Sequence, residues 1–179
     1  MRMTLAELEI PTLADAREIS AVAQASFLDT FAAVSYPPAD LAAFLDSAMG
    51  ATAYARQIAD PDFAFLISRN AAGAITGFAK TGPNVLPMPD GEPPLAKTRE
   101  LHQLYLLAEA KGKGVADAMM AWVEDEARSR GAVALYLSVY IDNIRAQRFY
   151  TRHGFVEIGK NPFQVGSVID DDRVWKKVL

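Results

Sequence analysis

The chain has 179 residues, of which 51% are hydrophobic and 22% are charged, and its formal net charge is −4. This length and composition predict one globular domain, and the acidic balance argues against nucleic-acid binding while suiting a cationic partner such as an amine. The sequence contains no cysteine, which excludes disulfides, thiolate catalysis and cysteine-bound metals.

The sequence also argues against membrane insertion and export. No apolar run approaches the length of a membrane-spanning helix, and acidic residues follow Met1 where a signal peptide would be apolar. A cytoplasmic protein with no membrane partner is therefore expected. Since there are no internal repeats and no linker, residues 1–179 are expected to form a single domain.

The first elements are a strand and three helices. Residues 4–10 alternate apolar and polar side chains, which predicts a strand, and residues 15–31 carry apolar side chains at helical spacing. Pro38 suits the first turn of a second helix, over residues 38–49. A further short helix is predicted over residues 51–58.

A hairpin and a long loop follow. The apolar segments 63–68 and 74–81 flank the turn sequence Asn-Ala-Ala-Gly at 70–73, which predicts two paired strands. Residues 82–94 are rich in proline. A loop of this length is typical of functional segments, although a plain surface excursion would have the same composition.

In the last part of the chain, strands and helices alternate. Strands are predicted at 98–107, 132–139, 155–159 and 172–178, and helices at 115–130 and 143–152. The nearly all-apolar segment 132–139 is typical of a strand that is covered on both faces. The element order, βααββ followed by βαβαββ, predicts a mixed α/β fold with one parallel strand pair near the second helical unit.

The most informative motif is the glycine pair Gly112 and Gly114, which lies between a strand and an amphipathic helix. Glycine lets backbone N–H groups approach a ligand closely, and the helix that follows directs its positive dipole end to the same point. This arrangement predicts a pyrophosphate site, although an ordinary turn would also use these glycines. The two common phosphate-loop patterns do not fit the spacing.

Two motifs together resemble the GNAT superfamily of acetyl-CoA-dependent N-acetyltransferases. Residues 111–116 read Lys-Gly-Lys-Gly-Val-Ala, which is similar to that superfamily's Q/R-x-x-G-x-G/A loop, with lysine in the first position. Residues 143–155 fit its N-x-x-A-x-x-F-Y-x-x-x-G-F pattern without a gap. The segments 26–41 and 163–177 also resemble the bacterial polyamine (spermine/spermidine) acetyltransferase branch.

The resemblance implies a GNAT-type fold: a central mixed, mostly antiparallel twisted sheet with one splayed parallel strand pair and helices on both faces. It implies acetyl-CoA as cosubstrate, without a metal. The implied contacts with acetyl-CoA are the loop Lys111, Gly112, Lys113, Gly114, Val115 and Ala116, the backbone of Leu104, Tyr105 and Leu106, and the side chains of Asn143, Ala146 and Tyr150.

Three residues are candidates for proton transfer. The resemblance places the Tyr150 hydroxyl near the sulfur of the cosubstrate as the acid, whereas the alternative is a helix tyrosine that only packs on the sheet. Glu100 and His102 lie on one face of the predicted strand, with Leu101 and Gln103 on the other. Either one is a candidate base. The alternatives are that Glu100 is a solvated charge at the end of the strand and that His102 is a hydrogen-bonded packing residue.

The acceptor side is less well specified. Phe27, Thr30 and Phe31 share one face of the first helix, and the resemblance implies that they line the acceptor pocket, although core packing is preferred for Phe27. The run Asp170–Asp172 suits a cationic amine, but a solvated turn is the preferred interpretation. Asn143 has the alternative function of a helix cap, with Asp142 as its competitor.

The expected function is acetyl transfer from acetyl-CoA to a primary amine of a small, polyamine-like molecule within a ternary complex. The alternatives are a peptide or protein acetyltransferase that acts on N-termini or lysines, and a non-catalytic acyl-CoA sensor of the same fold. An ATP-binding protein is disfavoured because the loop lacks a Ser or Thr for Mg²⁺. Homodimers are common in the superfamily, but the sequence does not specify an interface.

Overall fold

The computed structural model describes residues 7–179, so residues 4–6 of the first predicted strand lie outside it. Its seven strands are β1 (Glu7–Glu9), β2 (Ala64–Arg69), β3 (Ile75–Gly82), β4 (Thr98–Leu106), β5 (Ala134–Tyr140), β6 (Val156–Val165) and β7 (Val168–Val178). Its five α-helices are α1 (Ala16–Thr30), α2 (Pro38–Met49), α3 (Ala51–Ala59), α4 (Val115–Ser129) and α5 (Ile144–Arg152). None of these helices is long and apolar enough to cross a bilayer.

All seven strands form one sheet in the order β1-β2-β3-β4-β5-β7-β6. The pair β4–β5 is parallel, and the other described pairs are antiparallel. This parallel pairing covers only Thr98 to Glu100, opposite Ala134 to Tyr136. Beyond Glu100 the two strands separate, so the predicted mixed sheet with one splayed parallel pair is confirmed.

Each face of the sheet has its own apolar core. On one face, α1 and α3 bury Ile19, Phe27 and Tyr54 against side chains of β2 and β3. On the other, α4 buries Met119 and Val123 together with residues of β4, β5 and α5. The helices therefore cover both faces, as predicted, and the site is built where the two strands part between them.

The last hairpin is longer than the predicted strands 155–159 and 172–178. Strands β6 and β7 pair from Val156, opposite Lys176, to Val165, opposite Val168, across a tight turn at Gly166, whose φ is 56°. Residues 160–171 lack apolar alternation because the side chains that point inward there include Asn161 and Asp170. Pro162 is tolerated because β6 is an edge strand.

A β-bulge in β4 corrects a second expectation. Lys80 pairs with Gln103, but the next residue of β3, Thr81, pairs with Leu101, so one additional residue of β4 lies between. Alternation is interrupted there. Leu101 packs on the α4 side as predicted. Gln103 was expected on that face too, but it accepts a hydrogen bond from the Tyr54 hydroxyl of α3 at 3.0 Å.

Candidate active site

Two cavities, of about 820 and 580 Å³, meet where β4 and β5 separate. The larger is lined by residues of the three N-terminal helices, the proline-rich loop and the inner faces of β3 to β7. The smaller lies between the start of α4 and α5. The residues that line both are Thr30, Leu104, Tyr105, Asn143, Ala146 and Tyr150. A ligand in one cavity can therefore contact a ligand in the other.

The glycine loop forms one wall of the smaller cavity. Gly112 and Gly114 have φ values of 76° and 78°, in the left-handed region that favours glycine. An added Cβ at either position would meet no atom within 4 Å, so backbone conformation rather than crowding requires glycine. No described residue accepts a hydrogen bond from the main-chain N–H groups of residues 112–117. These donors at the start of α4 are the kind of groups that an anion cradle requires, and the anion site itself stays a prediction.

Positive charge surrounds this cradle. Lys111 directs its ammonium group to Asp29 of α1 at 3.2 Å. Arg145, Arg148 and Arg152 on α5 line the same cavity. These arginines were not among the predicted site residues, because only the packing of α5 beside α4 shows that they face the loop.

The separation of β4 and β5 leaves a backbone edge open. Residues 103–106 of β4 pair with β3 on one side. On the other side, the pairing with β5 has already ended at Glu100. The N–H and C=O groups of Leu104, Tyr105 and Leu106 that face this gap can pair with an extended, peptide-like ligand as a further strand would.

Asn143 is the N-cap of α5, as its alternative interpretation predicted. Its Oδ1 accepts a hydrogen bond from Ala146 N–H at 3.1 Å. Asp142 does not compete for this position, because its carboxylate accepts from the Tyr140 hydroxyl at 3.1 Å. The amide of Asn143 keeps its N–H donors, and the residue lines both cavities.

Tyr150 lies two helical turns after Asn143, at the junction of the cavities. Its ring packs against Phe149 and Phe155, with centroids 5.5 and 5.7 Å away. Burial raises the pKa of its hydroxyl above the ordinary value, so the group stays protonated near neutral pH. Tyr150 therefore packs on the sheet, as one interpretation predicted, and it also has the proton that the other interpretation requires.

Glu100 and His102 form a buried pair that faces the larger cavity. The Nδ1 atom of His102 is 3.2 Å from Glu100 Oε1. The Nε2 atom is 3.0 Å from the Pro83 carbonyl, which can only accept, so Nε2 carries a proton. Nδ1 is then free to accept a proton shared with the carboxyl group of Glu100.

Burial sets the protonation of this pair. It raises the pKa of Glu100 to about 7 and lowers that of His102 to about 4. Glu100 Oε2 accepts a hydrogen bond from Val85 N–H of the proline-rich loop at 3.0 Å. The loop therefore contributes directly to the site. A carboxyl group that titrates near neutrality suits a general base.

Lys80 is a site residue that the sequence did not reveal. It lies on β3, lines the larger cavity and is only 7% exposed. Its ammonium donates to Gln57 Oε1 at 3.1 Å, and burial lowers its pKa to about 8. No sequence motif marks Lys80, because this residue reaches the site only through the pairing of β3 with β4.

The residues at α1 that were predicted to line the acceptor pocket do not all contribute in the same way. Some mainly pack in the core, and others line the cavities. Phe27 is 2% exposed and stacks on Phe31 with centroids 4.5 Å apart, so core packing is its main contribution. Phe31 also contacts the Tyr140 ring at 5.1 Å. Thr30 is exposed and lines both cavities.

The acidic run 170–172 is not a solvated turn, which corrects that expectation. It lies within β7, where Asp170 and Asp172 point inward and are buried while Asp171 is exposed. The Tyr36 hydroxyl donates to Asp170. Asp172 lines the larger cavity. Three consecutive aspartates carry no pattern in the sequence that distinguishes the buried side chains from the exposed one.

Comparisons with known proteins agree with this geometry. The Acetyltransferase (GNAT) family model matches residues 25–155. An uncharacterized N-acetyltransferase of Mycobacterium tuberculosis (strain ATCC 25618 / H37Rv) is 33% identical over 171 residues, which cover 93% of this chain and 99% of that protein.

Solved structures share the fold. The PaiA N-acetyltransferase from Thermoplasma acidophilum in complex with coenzyme A has a TM-score of 0.72 at 19% identity, covering 97% of this chain and 99% of that chain. A GCN5-related N-acetyltransferase from Rhodopseudomonas palustris has a TM-score of 0.73 at 23% identity, covering 100% and 99%. With the family match over most of its length, this chain belongs to the acetyltransferase (GNAT) family and is an acyltransferase.

Proposed function

We propose that this enzyme transfers an acetyl group from acetyl-CoA to a primary amine of a small, polyamine-like molecule, by direct attack within a ternary complex. The observation that carries the proposal is the meeting of two cavities at Tyr150 and Asn143. One cavity has the features of a cosubstrate groove and the other those of an acceptor pocket.

The smaller cavity suits acetyl-CoA, which supplies an activated acyl thioester. The free N–H groups of residues 112–117 and the nearby arginines of α5 provide donors and positive charge for the phosphates. The open β4 edge at Leu104–Leu106 provides pairing for the pantetheine arm. An arm that runs from the cradle along this edge ends at the junction, beside Tyr150.

Proton transfer in the proposed reaction uses Glu100, which lines the larger cavity, and Tyr150, which lines both cavities. An ammonium acceptor must lose a proton before its nitrogen attacks the thioester carbonyl, and the Glu100 carboxylate, directly or through water, accepts that proton. Once Glu100 has taken the proton, its carboxyl group can donate a hydrogen bond to Nδ1 of His102, 3.2 Å away. As the carbon–nitrogen bond forms and the carbon–sulfur bond breaks, the Tyr150 hydroxyl donates a proton to the leaving thiolate, and the second proton lost by the attacking nitrogen restores that hydroxyl. The neutral amine is thereby converted to an amide, and CoA leaves as a thiol.

A small amine is favoured as acceptor because buried carboxylates line the pocket, as a cation requires. Asp172 and Glu100 lie on its floor, and both are less than 9% exposed. The segments 26–41 and 163–177, which resemble the polyamine branch, form the α1–α2 wall and the β6–β7 hairpin of this pocket.

A thiol-release assay with acetyl-CoA tests the proposal, run against polyamines, aminoglycosides, amino acids and short peptides. Calorimetry of CoA binding is measured in parallel. Release with small amines is expected. Release only with peptides would support a peptide acetyltransferase, and tight CoA binding without any release would support a sensor.

A further inference from the structure

The inner face of the β5–β7–β6 unit carries a chain of hydrogen bonds that ends on one carboxylate. Asn161 Nδ2 donates to Ser138 Oγ at 3.1 Å, and Ser138 Oγ donates to Asp172 Oδ2 at 3.2 Å. All three side chains line the larger cavity. The chain fixes the orientation of the Asp172 carboxylate, as expected for a group that holds a ligand.

The other oxygen of this carboxylate has no partner among residues 7–179. Asp172 is 7% exposed, and its Oδ1 is buried without a hydrogen bond from any described residue. None of the ion pairs in the described part of the chain includes Asp172. Neighbouring Asp170 differs, because the Tyr36 hydroxyl donates to it. A buried, half-satisfied carboxylate is unfavourable unless a donor or cation binds it.

The cationic side chains that line the cavity and the Asp172 carboxylate lie on different elements. The cationic side chains in its lining, Arg56 and Lys80, come from α3 and β3. The β7 side carries Asp172, whose pKa burial raises to about 6, so this carboxyl remains largely ionised at neutral pH. The aromatic rings of Phe31, Phe44 and Phe163 also line this cavity. They offer an apolar surface to an alkyl chain.

We propose that Asp172 binds a second, non-reacting ammonium group of the acceptor, an inference that rests on the proposed amine acetylation. The substrate class is then a diamine or longer polyamine, with one nitrogen near Glu100 and Tyr150 and another at Asp172. A monoamine of the same length leaves Asp172 unpaired and is a poorer substrate.

The test compares 1,4-diaminobutane with 1-aminobutane in the wild-type enzyme, in Asp172→Asn and in a matched control, Asp171→Asn. Asp171 is the adjacent carboxylate on the same strand, but it is exposed and pairs with Arg173. The measurements are kcat/KM for each amine, KM for acetyl-CoA, and diamine binding to the CoA complex by calorimetry.

A charge-assisted hydrogen bond in a buried site predicts that the wild-type enzyme prefers the diamine by about tenfold to a hundredfold. Asp172→Asn is expected to lower kcat/KM for the diamine at least tenfold more than kcat/KM for the monoamine, and so to abolish this preference. Asp171→Asn is expected to keep it. CoA binding by Asp172→Asn, measured by calorimetry, shows that this variant has folded.

The other outcomes separate the inference from the proposed function. Amine acetylation without a diamine preference, or with a preference that survives in Asp172→Asn, overturns the inference and leaves the proposed function intact. No acetylation and no diamine binding overturns both. Diamine binding that depends on Asp172, without turnover, supports the subsite and refutes the proposed reaction.

Discussion

Replacing Glu100 with glutamine is expected to lower activity and to raise stability under alkaline conditions. The side chain is 5% exposed, and its pKa is raised from 4.5 to about 7 by burial. This difference corresponds to about 3 kcal/mol for holding the ionised carboxylate in the folded protein. Glutamine has nearly the same shape, never ionises, and can still accept the Val85 N–H hydrogen bond.

The sign of the pH effect follows from the two pKa values of Glu100. Below pH 4.5 the carboxyl is protonated in both states, so it imposes no ionisation cost. Between pH 4.5 and about 7 the unfolded chain loses this proton and the folded protein keeps it. The wild-type free energy of unfolding therefore falls through this window, and the full loss of about 3 kcal/mol remains above it.

The assay is urea unfolding at pH 5 and pH 8, together with kcat/KM from thiol release across that range. The wild-type kcat/KM is expected to rise with pH through about 7, as the Glu100 base loses its proton. Glu100→Gln is expected to lower kcat/KM by about 10²- to 10⁴-fold and to remove the inflection of kcat/KM near pH 7. Its free energy of unfolding is expected to fall less than that of the wild type between pH 5 and 8. Glu157→Gln, at a partly exposed ion pair on β6, is the control.

Two results would refute this reasoning. If Glu100→Gln kept the wild-type kcat/KM and its inflection near pH 7, Glu100 would not be the base. If its stability changed with pH as steeply as that of the wild type, the carboxyl would not carry the burial cost assigned to it.

Three further substitutions test the cosubstrate groove. Tyr150→Phe is expected to lower kcat about a hundredfold with little change in the KM for acetyl-CoA, measured by steady-state kinetics, because only the proton donor is lost. Gly114→Val forces a β-branched residue into φ 78° and should weaken CoA binding more than tenfold by calorimetry. Asn143→Ala removes the α5 cap and should cost about 1 kcal/mol of stability in urea unfolding, with weaker CoA binding.

Each of these substitutions has a contradicting result or a matched control. Unchanged kcat in Tyr150→Phe would remove its hydroxyl from the mechanism. Gly73→Val carries the same kind of strain, at φ 83° in the β2–β3 turn, and should leave CoA affinity unchanged. Asn143→Asp can still cap α5, so normal CoA affinity in that variant would show that the amide donors of Asn143 are not used.

The sequence predicted best what is local along the chain. The glycine loop and the Asn143–Tyr150 spacing could be interpreted because a few consecutive residues determine a turn or a helix face. Lys80 and the arginines of α5 could not be assigned, since only strand pairing and helix packing bring them to the cavities. Gln103 was placed on the wrong face because one additional residue in β4 breaks the period of two that the prediction assumed.

The run Asp170–Asp172 shows a different limit of prediction from sequence. Burial of Asp170 and Asp172 runs against the general expectation that aspartate is exposed, so polarity alone indicated a turn. Tyr36, from a distant part of the sequence, donates a hydrogen bond to Asp170, and Asp172 lines the larger cavity. A functional pocket is where composition is least informative, because it keeps polar groups where packing would otherwise exclude them.

The early separation of β4 and β5 has a mechanical consequence. Three paired positions are all that join the two strands, so the sheet is continuous at one end and divided into two lobes at the other. An extended ligand seated in the gap would act as a missing strand that bridges the lobes. Coenzyme A would then be a folding ligand as well as a reactant, and the loaded enzyme would resist unfolding more than the empty one.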